Sequence, residues 1–479
     1  MLSTHISGAL CEHGDRIAVA DAQTTLSYRE LDALTTATAR ELAPELPRGD
    51  RPRVGLRAAN SYAYVVLYLA LLRTGCVPFL IDRASGTAET AAIVEDCGLD
   101  LLLHEEEAAV PGGAVRRRTA QGLVLSAFVG GAERPLLHDT TEVCRFTSGS
   151  TGRPHAIEFS GHAVHRAAVN WAEGTKLTRD DRIACFASLS NGLAFNTSLL
   201  SAFLTGAELH LGSGLPTSGR VVRTLERTAA TRLVGFPALY DSLVRRASGQ
   251  GAFRQLRMAV SSAAPLHPET KKRFTAATGV PLQNYYGVAE AGPLTFALDP
   301  LHDPGLGRPL PGVSLRAGTS TQGPTEIAVR SESMGTRYLN VPGLLESRTS
   351  AEGYYRSGDL GYLDGGSLVL TGRTSQVINV GGRKIDAEEI AAVLRDAEGV
   401  EDTVVLEVAD RHGSSALGAV LAGDPPVDPT EARRYAAERL PAHKVPSLLR
   451  TVAEIPRGST GKPAMAELRR LFETSKDTA

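Results

Sequence analysis

The chain lacks a basic charge surplus, paired cysteines, an unbroken apolar run and an internal repeat, and each absence removes a class of function. Lys and Arg number 51 against 53 Asp and Glu, a net charge of −2. A nucleic-acid binder carries a basic excess, so no nucleic-acid partner is expected. The five cysteines, Cys11, Cys76, Cys97, Cys144 and Cys185, are odd in number, far apart, and form no Cys-x-x-Cys pair. That pattern argues against a disulfide framework and a zinc site, and points to a reducing, cytoplasmic setting. The start, Met-Leu-Ser-Thr-His-Ile, has no basic segment followed by a long apolar core, so no secretory peptide is expected. Residues 61–81 are apolar enough to suggest a membrane helix, yet Arg73, Thr74, Gly75 and Pro78 interrupt them. A span needs roughly 20 consecutive apolar residues. The break reads as a buried helix ending at Gly75 followed by a core strand, Val77 to Ile81, and no membrane partner is expected.

What is present is a globular composition. Hydrophobic residues make up 42% and charged residues 22% of 479 residues, enough for two to four domains at about 150 residues each. Strand-like pieces (Arg53 to Leu56, Val77 to Ile81, Leu101 to Leu103, Glu208 to Leu211) alternate with helical patterns (Tyr28 to Leu42, Ala88 to Cys97), the mark of an α/β fold. The runs Glu105–Glu107 and Arg116–Arg118 read as solvated loop faces. From Gly353 the texture changes to short strands (Ser367 to Thr371, Val377 to Val380), a helix Ala387 to Glu398, a strand Asp402 to Val408 and a helix Thr430 to Arg439. The Pro-rich 423–429 segment between them reads as a loop. Such a unit of about 100 residues can form a small α+β domain of its own.

The run Thr147-Ser148-Gly149-Ser150-Thr151-Gly152 can bring backbone N–H groups and hydroxyls onto one anion, because glycine accepts the required dihedrals and allows close approach. It lacks the Gly-Lys-Ser/Thr ending of a P-loop. Taken alone, a run of this kind also suits a surface loop. Downstream lie Asn284-Tyr-Tyr-Gly-Val-Ala-Glu290, Tyr355-Arg-Ser-Gly-Asp359-Leu-Gly-Tyr362, Gly372-Arg373 through Ile385, and Pro456-Arg-Gly-Ser-Thr-Gly-Lys462. In this order and spacing the motifs resemble those of the acyl-adenylate-forming (AMP-binding) superfamily: acyl-CoA synthetases, aryl-acid ligases, luciferases and the adenylation domains of nonribosomal peptide synthetases. The resemblance runs from Leu26-Ser-Tyr-Arg-Glu-Leu31 to Lys462.

The resemblance implies a large N-terminal domain of layered sheets and helices, residues 1–374, which binds AMP and the acyl substrate. A small mobile C-terminal α+β domain, residues 375–479, would follow, hinged at Ser375, where the family usually carries Asp or Lys. It implies activation of a carboxylic acid by ATP with release of pyrophosphate, then transfer to the thiol of CoA or of a carrier-protein phosphopantetheine. Thr147 to Gly152 match the loop around the β- and γ-phosphates, and Glu290 matches the acid that helps hold Mg²⁺. Asn284 and Tyr286 match residues at the adenine, with Gly287 beside them and Ala263 and Ala264 in the backbone flanking it. Asp359 matches the carboxylate that accepts both ribose hydroxyls, Arg373 an arginine reaching the ribose or phosphates, and Lys462 the lysine bridging carboxylate and α-phosphate. The domain carrying Lys462 would rotate between the two half-reactions. Two departures stand out: His155 replaces the usual Lys after the phosphate loop, and Ala289 the usual Thr before Glu290.

For the acid, the family's amino-acid-activating members place an Asp beside the substrate ammonium. Here that position is Leu193 in an ungapped reading and Asn196 in a gapped one, and neither can neutralise an ammonium. Asn191 falls where aryl-acid ligases carry an Asn, with a helix N-cap as its alternative role, and Phe236 falls where the family lines the acyl pocket. The expected substrate is an aryl or other non-amino carboxylic acid. The alternatives are a stand-alone amino-acid adenylation protein and a catalytically weak nucleotide-binding scaffold on the same fold.

Overall fold

The computed structural model describes residues 2–48, 51–105, 110–128, 134–147, 153–213, 217–246, 250–262, 266, 268–303, 305–374, 377–380, 383–409, 415–440, 444–458 and 461–473. Ser148 to Gly152, Ala263, Ala264 and Ser375 lie outside them. The chain divides into two compact units, Met1–Arg316 with Ala328–Arg356 and Asp364–Leu368, and Ala317–Ile327 with Ser357–Leu363 and Val369–Ala479. Asp359, Arg373 and Lys462 therefore all belong to the second unit. Among the described residues no helix is long and apolar enough to cross a membrane.

Two large sheets organise the first unit. One runs in the order Leu282–Asn284, Met258–Ser261, Arg232–Val234, Arg182–Cys185, Glu208–Leu211, Ile17–Ala20, Thr25–Ser27, parallel except for the last pair. The other has Thr141–Thr147, Val77–Leu80, Arg53–Arg57 and Leu101–His104 in parallel at its centre and antiparallel strands at its edges. The apolar run at 61–81 is resolved as the sequence implies. Ser61 caps helix Tyr62–Arg73 by accepting from the Tyr64 amide at 3.2 Å, and Ala63 through Leu72 are all buried, as in a helix that is apolar all round. Gly75, at φ +76°, turns the chain into strand Val77–Leu80. Pro78 is tolerated in that central strand because the neighbouring strand Thr141–Thr147 pairs only from Phe79 onward, so the missing N–H breaks no ladder bond. Ser27 and Glu30 form a reciprocal capping box at the start of helix Tyr28–Leu42.

The structure corrects the expectation for Arg116–Arg118. This run is not a loop but the end of strand Ala114–Arg118, which lies at the sheet edge and is exposed throughout. Charge is what such an edge needs, since it deters pairing with another chain, and Arg117 reaches Glu41 at 2.7 Å.

The second unit contains the sheet Asp402–Ala409, Ser415–Ala422, Leu448–Val452, antiparallel then parallel. The middle strand separates two cores. Leu417, Ala419 and Leu421 face helices Ala387–Arg395 and Pro429–Ala437, while Ala416, Val420 and Ala422 face helix Met465–Glu473. At Lys462 the backbone carbonyl accepts from the Gly458 amide at 2.8 Å, and Arg457 donates to the Gly461 carbonyl at 2.6 Å.

At the amino edge of the first sheet, Asp181 is fully buried. It accepts from Arg257 at 2.6 Å, Thr231 Oγ1 at 2.7 Å and the Thr178 amide at 3.0 Å, and pairs with the buried Arg232 at 3.1 Å. Burial alone would raise its pKa, but Arg232 and these hydrogen bonds hold it below the usual carboxylate value. Asp181→Asn leaves Arg232 buried without a counter-charge and is expected to cost about 3–5 kcal/mol, measured as a lower urea midpoint. The stabilisation is present above the unfolded carboxylate's pKa, about 3.9, and lost as pH falls through the depressed folded value, so the difference between wild type and variant should shrink in acid.

Candidate active site

Parallel strands must all end on the same edge, and in the first sheet that edge collects Cys185, Val234, Ser261 and Asn284. Ligands of open α/β sheets bind outside such carboxyl ends. Here the strand ends are tied to one another: the Ser262 hydroxyl donates to the Tyr285 carbonyl at 3.1 Å, and the Gly235 amide to the Val260 carbonyl at 3.2 Å. Ser261 Oγ, Gln283 Oε1 and Asn284 Oδ1 are buried and have no hydrogen-bond partner among the described residues. An unpaired buried acceptor such as Asn284 Oδ1 suits a ligand's N–H donor, and an adenine amine supplies one. Phe236 follows Val234 and is half-buried on the same edge.

Beyond Asn284 the chain makes a tight hairpin in which Gly287–Val288 pairs with Gly292–Pro293. Gly292 sits at φ +75°, and a Cβ on Gly287 would lie 2.7 Å from the Gly292 carbonyl oxygen, so both positions require glycine. Tyr286 anchors the hairpin base by accepting from the Leu294 amide at 2.9 Å. Glu290 stands at the tip. Its carbonyl accepts from the Gly335 amide at 2.6 Å, and its carboxylate accepts from the Tyr338 hydroxyl and bonds Tyr355, which in turn bonds Arg348. Burial, then the Glu290 charge, pushes both phenols above their ordinary values, so they remain donors to it. No cluster of three or more metal-ligating side chains exists among the described residues. A lone fixed carboxylate fits Mg²⁺, which keeps much of its water and takes further oxygens from phosphates.

Thr147 ends the strand that leads into residues 148–152 and lies opposite His155. Asn340 holds both sides of His155, donating to the Pro154 carbonyl and accepting from the Ala156 amide, each at 2.9 Å. The His155 ring meets Tyr338 edge-on at 5.7 Å, which brings Thr147 and Glu290 into one neighbourhood. Burial, then the Arg348 charge, holds the imidazole below its ordinary pKa. The position that departs from lysine thus holds a neutral ring at neutral pH, and the cation of this corner is Arg348.

Asn191 caps helix Gly192–Ala194, its Oδ1 accepting from the Leu193 amide at 2.9 Å. The oxygen of its carboxamide is therefore committed to the backbone. The chain continues through a π-helical segment, Phe195–Leu200, a form that often marks functional sites. Asn196 lies in it, 1% exposed, its Nδ2 without a partner among the described residues, while Leu193 is buried. Facing this segment is Arg145, a buried cation outside every motif of the sequence, as are Tyr338 and Arg348; Tyr355 opens a motif but carries no role in it. Arg145 has a legible signal, a charge inside the otherwise apolar Val143-Cys-Arg-Phe146 strand just before Thr147.

On the second unit, Arg373 Nε donates to Asp359 Oδ1. Asp359 is 6% exposed. Gly358 precedes it at φ +80°, with its amide on Glu326 at 3.2 Å and its carbonyl taking Thr374 Oγ1 at 3.0 Å. Asp359 and Arg373, separated in sequence, are thus one ion pair.

The model of the AMP-binding enzyme family matches residues 9–339 of the chain. A 3-hydroxybenzoate–CoA ligase of Aromatoleum sp. (strain CIB) is 27% identical over 504 residues, covering 96% of this chain and 94% of its own. An anthranilate–CoA ligase of Pseudomonas aeruginosa is 29% identical over 485 residues, covering 94% and 92%. The solved structure of ATP-bound MatB from Rhodopseudomonas palustris matches in fold with a TM-score of 0.83 at 22% identity, covering 100% of this chain and 99% of that one.

Asn284→Ala removes a buried acceptor that lacks a donor, a group that costs about 1–3 kcal/mol when unsatisfied. Thermal unfolding without nucleotide should be unchanged or raised, while the additional stabilisation by ATP should shrink. Reduced stability of the free variant together with an intact ATP effect would assign Asn284 to the scaffold.

Proposed function

The chain belongs to the AMP-binding enzyme family and is an acyl-adenylate-forming ligase, and from that premise we propose that it activates an aryl or other non-amino carboxylic acid with ATP and passes the acyl group to a thiol. A carboxylate oxygen attacks the α-phosphorus, the α–β bridge breaks and pyrophosphate leaves. A thiolate sulfur then adds to the acyl carbon, and AMP departs. The observation that carries the reading is the Glu290 carboxylate, held by Tyr338 and Tyr355 at a hairpin tip beside the strand that leads into 148–152. Glu290 would hold Mg²⁺, which screens phosphate charge when bound.

In this reading the residues divide the work by charge. Asn284 Oδ1 accepts from the adenine, and the Asp359 carboxylate, oriented by Arg373, accepts from the ribose. Lys462, on the second unit, neutralises carboxylate and α-phosphate as they approach, and the thiol step requires its withdrawal with the C-terminal domain. Phe236 and the 191–196 segment meet the acid. An α-amino acid is disfavoured because this segment offers buried Leu193 and neutral Asn196 beside the cationic Arg145, with nothing to balance an ammonium. The named relatives favour CoA as acceptor; a carrier-protein phosphopantetheine presents the same thiol.

ATP–pyrophosphate exchange across benzoate, 3-hydroxybenzoate, anthranilate and phenylalanine tests the reading. Exchange with the amino acid alone would favour the amino-acid adenylation alternative. Nucleotide binding without exchange for any acid would favour a scaffold. Lys462→Ala should lower adenylate formation roughly 10²- to 10³-fold while sparing thiol transfer from supplied acyl-AMP; equal losses in both half-reactions would show that Lys462 does not act in the first step alone. Asp359→Asn should weaken ATP more than acid, since an amide keeps one acceptor oxygen where the carboxylate had two. A collapse of acid affinity with ATP affinity unchanged would overturn that placement.

A further inference from the structure

Arg145 is 5% exposed and forms no ion pair among the described residues. Its hydrogen bond from Nη2 to the Ala289 carbonyl is long at 3.5 Å, and its Nε has no acceptor among the described residues. Two aromatic rings cover the guanidinium, with Cζ 4.2 Å from the Phe159 centroid and 5.4 Å from that of Phe195. Rings over the faces of a guanidinium leave its edge for hydrogen bonds in the plane. Near it two further buried donors have no partner among the described residues, Asn196 Nδ2 and the Tyr68 hydroxyl, while the Tyr285 phenol, also within electrostatic range, bonds Ser262. Tyr68 stacks edge-on against Phe195 at 5.6 Å, and its phenol is within electrostatic range of Arg145.

Glu290, a carboxylate within electrostatic range of Arg145, is already bonded to Tyr338 and Tyr355, so a cation in no ion pair beside buried donors with no partner among the described residues describes a place that suits an anion. Two glycines allow the backbone to approach these groups closely. A Cβ on Gly192 would stand 2.6 Å from Arg145 Nη1, and one on Gly292 would stand 2.7 Å from Asn196 Nδ2. Gly192 is half-buried beside Asn191, and Ala289, whose carbonyl is the weak partner of the guanidinium, is exposed. The cluster thus lies between the segment that meets the acid and the hairpin that carries Glu290. Burial lowers the Arg145 pKa to about 10, so the charge is retained at neutral pH.

We propose, resting on the ligase reading above, that Arg145 with Asn196 and Tyr68 binds a second carboxylate of the acid, and that the preferred substrates are dicarboxylic acids. One carboxylate is adenylated; the other lies against the guanidinium edge, whose paired N–H groups match two carboxylate oxygens. Arg145 is a specificity-determining residue here and takes no part in bond making.

The test compares malonate, succinate, glutarate, isophthalate and terephthalate with propionate, butyrate, valerate and benzoate in ATP–pyrophosphate exchange. At least one diacid should exceed its monoacid partner by about tenfold or more in kcat/KM, the scale of a charge-assisted hydrogen bond. Arg145→Met should bring that ratio to about one, and Arg145→Lys should retain part of it. A wild type that favours monoacids throughout, or a methionine variant that keeps the preference, overturns the proposal. Calorimetric titration of isophthalate and glutarate into the full chain without nucleotide reads the subsite apart from catalysis. If no acid supports exchange, the ligase reading fails, while diacid binding that Arg145→Met abolishes still upholds the subsite and absence of any diacid binding refutes it. Should Arg145→Met fail to melt cooperatively, Asn196→Leu takes its place with the same two readouts, and an unaltered diacid preference or affinity in it counts against the proposal.

Discussion

Parallel pairing in the first sheet is the constraint from which the rest follows. Strands Arg182–Cys185, Arg232–Val234, Met258–Ser261 and Leu282–Asn284 run the same way, so segments distant in sequence leave the sheet along one edge. Phe236, Ser262, Tyr285 and the 287–293 hairpin are brought together for that reason alone. The amino edge carries the opposite chemistry, since Asp181, Arg232, Thr231 and Thr178 satisfy one another and fix the strands in register.

The two edges differ in how their buried polar atoms are used. At Asp181 donors and acceptors are matched, which is what stability requires. Toward the carboxyl edge, Asn284 Oδ1, Arg145 Nε, Asn196 Nδ2 and the Tyr68 hydroxyl have no partners among the described residues. Such groups destabilise a fold unless something binds them, which is the physical reason to expect a ligand near them.

The two departures from the family pattern take on a local meaning. His155 replaces a cation with a ring that burial and Arg348 keep neutral, and Arg348 supplies positive charge through Tyr355 to the same Glu290 corner. Ala289 puts a methyl group in the hairpin where the family pattern has a hydroxyl, and its backbone carbonyl, which any residue would supply, is the weak partner of Arg145. The first change is offset by a neighbouring charge, whereas nothing in the structure accounts for the second.

The sequence by itself determined the α/β character, the broken helix–strand reading of residues 61–81, the order of motifs and the residue types that can handle phosphate, ribose and carboxylate. These depend on local chemistry: caps at Ser27 and Ser61, the turn at Gly75, and hydroxyl and glycine runs. Strand Ser415–Ala422 is hidden in the sequence because both of its faces are buried, leaving no polar alternation to reveal it. Whether Asn191 caps a helix is undecidable from its name, since cap and ligand contact use the same carboxamide; only the 2.9 Å bond from the Leu193 amide settles what its oxygen does. The Asp359–Arg373 pair, the phenols that orient Glu290 and the orphaned edge of Arg145 were decided by tertiary structure alone, because burial and the presence or absence of a partner arise only when strands remote in sequence pack together.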